Sequence, residues 1–262
     1  MNGPENELTE PDSAAPRSPR GIPLLPNMIT TAGLFAGFYA IVAAMNGRFE
    51  AASIAIFVAM VMDGIDGRVA RLTNTQSEFG VQYDSLSDMV CFGVAPALVM
   101  YEWSLNSMVS VGWAKLGWLA AFIYTAGAAL RLARFNAQTT TAEKRYFKGL
   151  PSPSAAGVLA GFIWVGVDLN MRGTDLVYPA FVLTVLMGLL MVSNVRYYSF
   201  KQFDFKNRVP FVAILIVVLV YVFASIDPPK VLFTGFLVYA LSGVVQTLLQ
   251  LRKARKARQR SK

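Results

Sequence analysis

The sequence predicts an all-α fold, a polytopic membrane helical bundle of about eight transmembrane helices with both termini in the cytoplasm. Of the 262 residues, 55% are hydrophobic and only 15% are charged, a composition typical of integral membrane proteins. Apolar stretches of about the length that crosses the hydrocarbon core recur along the chain. Lysine and arginine concentrate in alternate connections between these stretches, as the positive-inside rule requires.

Eight apolar stretches form the predicted spans, each close to the roughly 20 residues that a helix needs to cross a bilayer. They cover residues 28–46, 51–71, 83–102, 113–134, 153–169, 177–194, 209–226 and 231–250. With the N-terminus in the cytoplasm, the other side of the membrane receives few basic residues, namely Arg48, Lys115, Arg172 and Lys230. This charge asymmetry favours an even number of spans, since an odd number would place the basic C-terminus outside.

The chain divides into a membrane domain with two polar ends. Residues 1–20 form a leader that we expect to be disordered, residues 21–251 form the membrane domain, and residues 252–262 form a basic cytoplasmic tail. We expect the tail to extend the last helix and to lie on the anionic inner leaflet. No cleavable signal peptide is expected, because the first apolar run begins only near Leu24.

Composition also excludes several kinds of site. The chain contains no histidine, which excludes Ser-His-Asp and Cys-His nucleophile mechanisms and imidazole metal ligands. Cys91 is the only cysteine, so neither an intrachain disulfide nor a thiolate zinc cluster can form. A bound metal must therefore be held by oxygen, which favours Mg²⁺, Mn²⁺ or Ca²⁺. The net charge of +8 does not indicate a nucleic-acid partner, because no soluble domain is large enough to bind one.

Four aspartates interrupt the second and third apolar stretches. Asp63 and Asp66 are three residues apart and Asp84 and Asp88 are four apart, so each pair shares one face of a helix. A charged aspartate at the centre of a membrane helix costs on the order of 2.5–3.5 kcal/mol, so these acids need a counter-charge. The short polar segment 72–79 turns the chain back, which brings the two acidic faces together near the cytoplasmic end. Four carboxylates there suit a pair of divalent cations of the kind used for displacement at phosphorus.

Small residues and one arginine accompany the aspartates. Gly64, Gly67, Ala70 and Gly80 reduce side-chain bulk, so a phosphate can approach closely. Arg71 offers a forked donor that suits phosphate. Two alternatives are an acidic loop that merely closes a hairpin, and glycines that serve only helix packing.

The segment DGIDGRVARLTNTQSEFGVQYDSLSD at 63–88 matches, without a gap, the signature D-x-x-D-G-x-x-A-R-x8-G-x3-D-x3-D. In this it resembles the CDP-alcohol phosphotransferases, which move a phosphatidyl or similar group from a CDP-linked donor to an alcohol and release CMP. The resemblance implies that Asp63, Asp66, Asp84 and Asp88 hold two divalent cations, Mg²⁺ or Mn²⁺. It also implies that Asp88 acts as the general base.

The same resemblance implies where the donor CDP-diacylglycerol binds. The implied contact residues are Asn27, Thr30, Gly67, Ala70, Arg71, Ser77 and Gly80. Asn27 and Thr30 match an N-x-x-T element of the family at the mouth of the first span. Their alternative role is capping of a helix N-terminus.

Other segments resemble the membrane-spanning branch of the family that uses L-serine as acceptor. They are SDMVCFGVAPA after the signature, LRLARFN at 130–136, YFKGLPSPSAAG at 146–157 and VSNVRYYSFK at 192–201. The implied reaction transfers the phosphatidyl group to the serine hydroxyl. Cys91 departs from this pattern, where a serine is expected.

The serine carboxylate needs a cation. Arg131 and Arg134 are three residues apart at the cytoplasmic end of the fourth span and could hold that carboxylate or a donor phosphate. Their alternative role is topological anchoring under the positive-inside rule. Lys148 and Arg196 are further candidates of the same kind.

Two other functions compete with this interpretation. The acceptor could be glycerol phosphate or inositol phosphate, which should require a more basic pocket. A divalent cation transporter would use the aspartates as its ion site, without a need for Gly67, Arg71 or Gly80. By resemblance we also expect a homodimer in the bacterial inner membrane, in contact with membrane lipid, whose active site faces the cytoplasm.

Overall fold

The computed structural model describes residues 24–73, 75–109, 112–137, 146–198, 222–223 and 225–260. Its α-helices are α1 (Leu24–Met45), α2 (Phe49–Leu72), α3 (Glu78–Asp88), α4 (Ala95–Trp103), α5 (Ala114–Ala137), α6 (Ser152–Asp168), α7 (Val177–Val192) and α8 (Pro228–Arg260). A π-helical turn, Met89–Val94, joins α3 to α4, and 3₁₀ turns cover Leu105–Val109 and Gly173–Leu176. Two short strands, β1 (Tyr146–Lys148) and β2 (Arg196–Tyr198), pair antiparallel with Phe147 opposite Tyr197.

Within the described part of the chain, four helical segments are long and apolar enough to cross a membrane. They are Leu24–Met45, Lys115–Ala137, Gly173–Val192 and Pro228–Thr247, and they coincide with the first, fourth, sixth and eighth predicted spans. The expected helical membrane bundle is therefore confirmed.

The α2 helix, the α3–α4 unit and α6 match the second, third and fifth predicted spans in position. The total of eight spans and the side on which the termini lie stay predictions. The leader 1–20 and most of the seventh predicted span, 209–226, lie outside the described residues.

A seam of small residues joins α1 to α2. The buried residues along it are Ala36, Ala40, Ala43 and Ala44 of α1 and Ala52, Ala55 and Ala59 of α2. In a bilayer, lipid tails are as apolar as the side chains, so close packing of small residues stabilises such a seam. A Cβ added at Gly33 would lie 3.3 Å from the Cβ of Met62. The seam therefore holds the acid-bearing end of α2 against the first turns of α1.

The α1 helix is the shared neighbour of both acid-bearing helices. It packs against α2, against α3 and against the π-helical turn and α4 that follow. The α2 helix in turn packs against the π-helical turn and α4. Because α1 contacts both partners, its side chains can fix the distance between the two acidic faces.

The basic end of the chain is helical as far as Arg260, as predicted. The α8 helix runs without interruption from Pro228 to Arg260, although contact of its end with the inner leaflet stays a prediction. Tyr197 of β2 is fully buried and its hydroxyl donates to the carbonyl of Ala240 at 3.0 Å. A Cβ at Gly243 would overlap the Tyr197 ring. The strand pair therefore docks onto α8 through this tyrosine.

Candidate active site

The aspartates of α2 and α3 converge, as the two acidic faces were predicted to do. Asp63, Asp66 and Asp84 each offer one carboxylate oxygen, and these oxygens all lie within 4.8 Å of one another. Asp88 lies one turn beyond Asp84, and its carboxyl group is in hydrogen-bonding contact with that of Asp63. All four line one cavity of about 10 Å³, which is room for about one water-sized particle.

The donor set of this cavity fits a hard divalent cation. Carboxylate oxygens are the ligands that Mg²⁺ and Mn²⁺ prefer, and like charges this close repel each other unless a cation lies between them. Asp66 is buried, with 4% of its surface exposed, so solvent screens it little. The arrangement could therefore hold a divalent metal ion.

The α1 helix orients one of these candidate ligands. The Thr30 hydroxyl lies 2.6 Å from Oδ2 of Asp66 and 3.1 Å from the carbonyl of Pro26, and Thr30 is buried. Partners of this kind commonly hold metal-ligating carboxylates in place. Because α1 already includes Leu24, Asn27 and Thr30 lie inside the helix. The alternative that they cap its N-terminus is therefore wrong.

A side-chain donor of α1 that has no partner among the described residues lies next to the start of α3. Ser77 is the N-cap of α3, and its hydroxyl accepts a hydrogen bond from the Gly80 N–H at 3.0 Å. A Cβ at Gly80 would lie 3.1 Å from Ser77 Oγ and 3.5 Å from Asn27 Oδ1. The buried Nδ2 of Asn27 has no hydrogen-bond partner among the described residues. A buried donor without a partner costs about 1–3 kcal/mol, so this position suits a polar group of a ligand.

The α2 face beside the acids is open. A Cβ added at Gly64 or Gly67 would meet no described atom within 4 Å. Arg71 is exposed and its Nε donates to the carbonyl of Gly67 at 2.8 Å, and Ala70 is half-buried beside it. The four residues leave room for a ligand on the segment of α2 that also carries Asp63 and Asp66.

The two arginines of α5 have different environments. Arg131 carries a charge that interacts with Asp88, and its Nη1 donates to the buried hydroxyl of Ser152 at 2.7 Å. Arg134 instead donates to the carbonyls of Lys148 at 2.5 Å, Val192 at 3.0 Å and Met191 at 3.2 Å. Basic side chains often bind the last carbonyls of a helix in this way. Arg131 thus interacts with one of the four acids, whereas Arg134 ties the end of α7 to β1.

Lys148 and Arg196 are the other two cationic candidates for the acceptor site. Lys148 is exposed, and its carbonyl rather than its ammonium group makes the contact with Arg134. The side chain of Arg196 lies outside the described part of the chain.

Cys91 lies against glycines of α1. Its thiol donates to the carbonyl of Gly33 at 3.3 Å, and Ser87 Oγ lies 3.8 Å from the sulfur. A Cβ at Gly37 would lie 2.6 Å from the sulfur. A serine here would have the same carbonyl within reach, so the departure from the expected residue keeps a hydrogen-bond donor at this position.

Sequence reasoning missed the π-helical turn that follows Asp88. Tyr124 of α5 donates from its hydroxyl to the carbonyl of Phe92, inside this turn, at 2.9 Å. The sequence does contain one signal, because Pro96 has no N–H to offer the preceding turn of helix. A proline so close to the acids indicates irregular hydrogen bonding there.

Comparison with known proteins agrees with this geometry. The family model described as CDP-alcohol phosphatidyltransferase matches residues 23–248. A CDP-diacylglycerol–serine O-phosphatidyltransferase of Helicobacter pylori is 33% identical over 227 residues, which cover 86% of this chain and 91% of that protein. One from Methanocaldococcus jannaschii is 34% identical over 191 residues, 73% of this chain and 81% of the relative. An archaetidylserine synthase of Methanothermobacter thermautotrophicus is 31% identical over 175 residues, 66% and 69% of the two chains. This chain therefore belongs to the CDP-alcohol phosphatidyltransferase family.

Proposed function

We propose that this protein is a membrane-embedded phosphatidylserine synthase, a CDP-diacylglycerol–serine O-phosphatidyltransferase. It transfers the phosphatidyl group of CDP-diacylglycerol to the hydroxyl of L-serine and releases CMP. The observation that carries the proposal is the convergence of the four aspartates in one cavity, where Asp88 also interacts electrostatically with Arg131. The names of relatives that match most of the chain support serine as the acceptor.

The proposed cofactors are two divalent cations, Mg²⁺ or Mn²⁺, held by Asp63, Asp66, Asp84 and Asp88. When bound, such ions neutralise charge on the pyrophosphate and on the leaving oxygen. The contribution of the protein is to hold the carboxylates at fixed separations. Thr30 does this for Asp66 through the 2.6 Å contact.

The donor nucleotide is proposed to bind between α1, α2 and the start of α3. Asn27 supplies an amide donor that has no partner among the described residues, and the N-terminus of α3 at Ser77 and Gly80 favours negative charge. Gly67, Ala70 and Arg71 form the open face of α2 on which the CDP moiety would lie. Arg71 can leave its contact with the Gly67 carbonyl to bind a phosphate oxygen, because it is exposed.

The acceptor is proposed to bind between Asp88 and Arg131. Arg131 pairs with the serine carboxylate, and its hydrogen bond to Ser152 fixes the guanidinium. Asp88 accepts the proton of the serine hydroxyl, whose oxygen forms the new bond to phosphorus while the bond to CMP breaks. The two residues interact electrostatically, which favours their action on the same small acceptor. Arg134 supports this site through the backbone of α7 and β1 rather than as a first contact with serine.

We further propose an eight-span homodimer in a bacterial inner membrane, with both termini and the active site on the cytoplasmic side. The membrane domain would be residues 21–251, between the leader 1–20 and the tail 252–262. The asymmetric placement of basic residues supports this orientation. CDP-diacylglycerol would enter the site from the surrounding membrane lipid, and phosphatidylserine would leave into it.

A comparison of acceptors tests the proposal. Purified protein with Mn²⁺ and CDP-diacylglycerol is given serine, glycerol phosphate or inositol phosphate, and the released CMP is measured. We expect CMP release with serine and not with the other two acceptors. CMP release only with glycerol phosphate or inositol phosphate would show that the proposed acceptor is wrong. No CMP release with any of the three would show that the proposed enzyme class is wrong. Asp88→Asn should release CMP at least about 100-fold more slowly, whereas Asp175→Asn, which removes a carboxylate from the exposed pair with Arg172, should keep full activity.

A further inference from the structure

The helix that carries Asp84 and Asp88 changes its hydrogen-bonding pattern directly after Asp88. From Met89 to Val94 it is a π-helix, and the N–H of Ala95 donates to the carbonyl of Val90, five residues earlier. The backbone dihedral angles at both ends of the turn stay helical, so the helix does not break. A π turn fits one extra residue into the helix, and one residue corresponds to about 100° of rotation. The turn therefore sets the rotation of the acidic part of the helix relative to α4.

The hydrogen bonds of this turn are completed by α5. Pro96 follows the turn and offers no N–H to it, and the carbonyl of Phe92 accepts from the Tyr124 hydroxyl at 2.9 Å. Both Tyr124 and Phe92 are fully buried. Thr125 of the same helix lies with its hydroxyl 3.4 Å from the next carbonyl, that of Gly93. A buried carbonyl without a donor is costly, so Tyr124 stabilises the turn in this form.

The turn is also enclosed on both sides. A Cβ at Gly93 would lie 3.2 Å from the Cβ of Ala128 on α5 and 3.1 Å from the sulfur of Met89. On the opposite side the Cys91 thiol donates to the Gly33 carbonyl of α1 at 3.3 Å. A shift of the turn toward either helix would displace Asp88, its immediate neighbour in the chain.

We propose that Tyr124 is a positioning residue for the candidate metal site. By binding the Phe92 carbonyl, its hydroxyl holds the π-helical turn and thereby fixes Asp84 and Asp88 relative to Asp63 and Asp66 of α2. In this role Tyr124 acts through the backbone carbonyl of Phe92 and not by binding metal or substrate. The inference rests on the proposed metal role of the aspartates, and it is independent of which alcohol is the acceptor.

The test compares two tyrosines that make equivalent bonds. Tyr124→Phe removes the hydroxyl that binds Phe92, and Tyr197→Phe removes an equally buried hydroxyl that binds the Ala240 carbonyl at 3.0 Å, away from the acids. Binding of Mn²⁺ to each purified protein in detergent is measured by electron paramagnetic resonance, without CDP-diacylglycerol or serine. Loss of a group that orients metal ligands typically weakens metal binding by 10- to 100-fold. We expect about 10-fold weaker binding for Tyr124→Phe, because it acts at one remove, and unchanged binding for Tyr197→Phe.

A second variant of the turn, together with thermal unfolding, distinguishes a local effect on Mn²⁺ binding from a general loss of stability. Gly93→Ala keeps Tyr124 but crowds the turn against Ala128 and Met89, so it should weaken Mn²⁺ binding in the same direction. Thermal unfolding of all three variants shows whether each is folded. Equal Mn²⁺ affinity in wild type and Tyr124→Phe would overturn the inference and leave the proposed function standing. The same conclusion would follow if Tyr197→Phe lost as much Mn²⁺ affinity as Tyr124→Phe. Absence of Mn²⁺ binding by the wild type would overturn both.

Discussion

Replacement of Thr30 by valine should weaken metal binding, because it removes the hydroxyl that lies 2.6 Å from Asp66 while it keeps the shape of the side chain. A hydrogen bond to a charged group contributes about 1.5–3 kcal/mol. At about 1.4 kcal/mol for each factor of ten, the expected loss of Mn²⁺ affinity is roughly 10- to 100-fold. Thr30→Ser keeps the hydroxyl and should stay close to wild type.

The assay separates two roles for Thr30, namely orientation of a metal ligand and contact with the nucleotide. Mn²⁺ affinity is measured without nucleotide, and the KM for CDP-diacylglycerol is measured at saturating Mn²⁺. Thr31→Val is the matched control, because the Thr31 hydroxyl bonds to the Asn27 carbonyl at 2.7 Å and shares a hydrogen bond with Tyr83 at 2.8 Å. If Thr30→Val changed only the KM and left Mn²⁺ affinity unaltered, the orienting role would be refuted and the nucleotide role favoured.

Three further predictions concern the base, the acceptor cation and the fold. Asp88→Asn should lower turnover by about 10²–10⁴-fold, the usual contribution of a general base, while CDP-diacylglycerol still binds; wild-type turnover would contradict this. Arg131→Met should raise the KM for serine by roughly 10-fold or more, since a hydrogen bond to a charged group is lost. The KM is measured from CMP release at varied serine concentration, and an unchanged value would remove Arg131 from the acceptor site. Gly149→Ala should destabilise the protein by roughly 1–2 kcal/mol or more, because Gly149 has φ +87° and a Cβ there would overlap the Met191 carbonyl. The control is Gly235→Ala, where a Cβ meets no described atom within 4 Å. Equal midpoints of thermal inactivation for Gly149→Ala and Gly235→Ala would contradict this prediction.

Local periodicity accounts for what the sequence predicted well. Apolar run length gives the positions of most described helices, and the three- and four-residue spacings of the aspartates give their common faces. The convergence of α2 and α3 followed from the short polar segment between them. None of these inferences needed information about distant parts of the chain.

The relations that sequence reasoning missed link residues far apart in the chain. Thr30 and Asp66 are separated by 36 positions, so no spacing rule connects them. Arg131 and Arg134 have the same chemistry and one helical turn between them, and only the location of the end of α7 distinguishes their roles. The Tyr124 contact depends on the depth at which α5 packs against the π-helical turn.

Direct location of bound metal tests whether the aspartates of α2 and α3 hold divalent cations. Crystals grown with Mn²⁺ and CDP would be measured at a wavelength where manganese scatters anomalously. We expect anomalous peaks among the carboxylates of Asp63, Asp66, Asp84 and Asp88, and loss of those peaks in Asp66→Asn. Manganese bound elsewhere, with these four side chains directed away from it, would contradict the account.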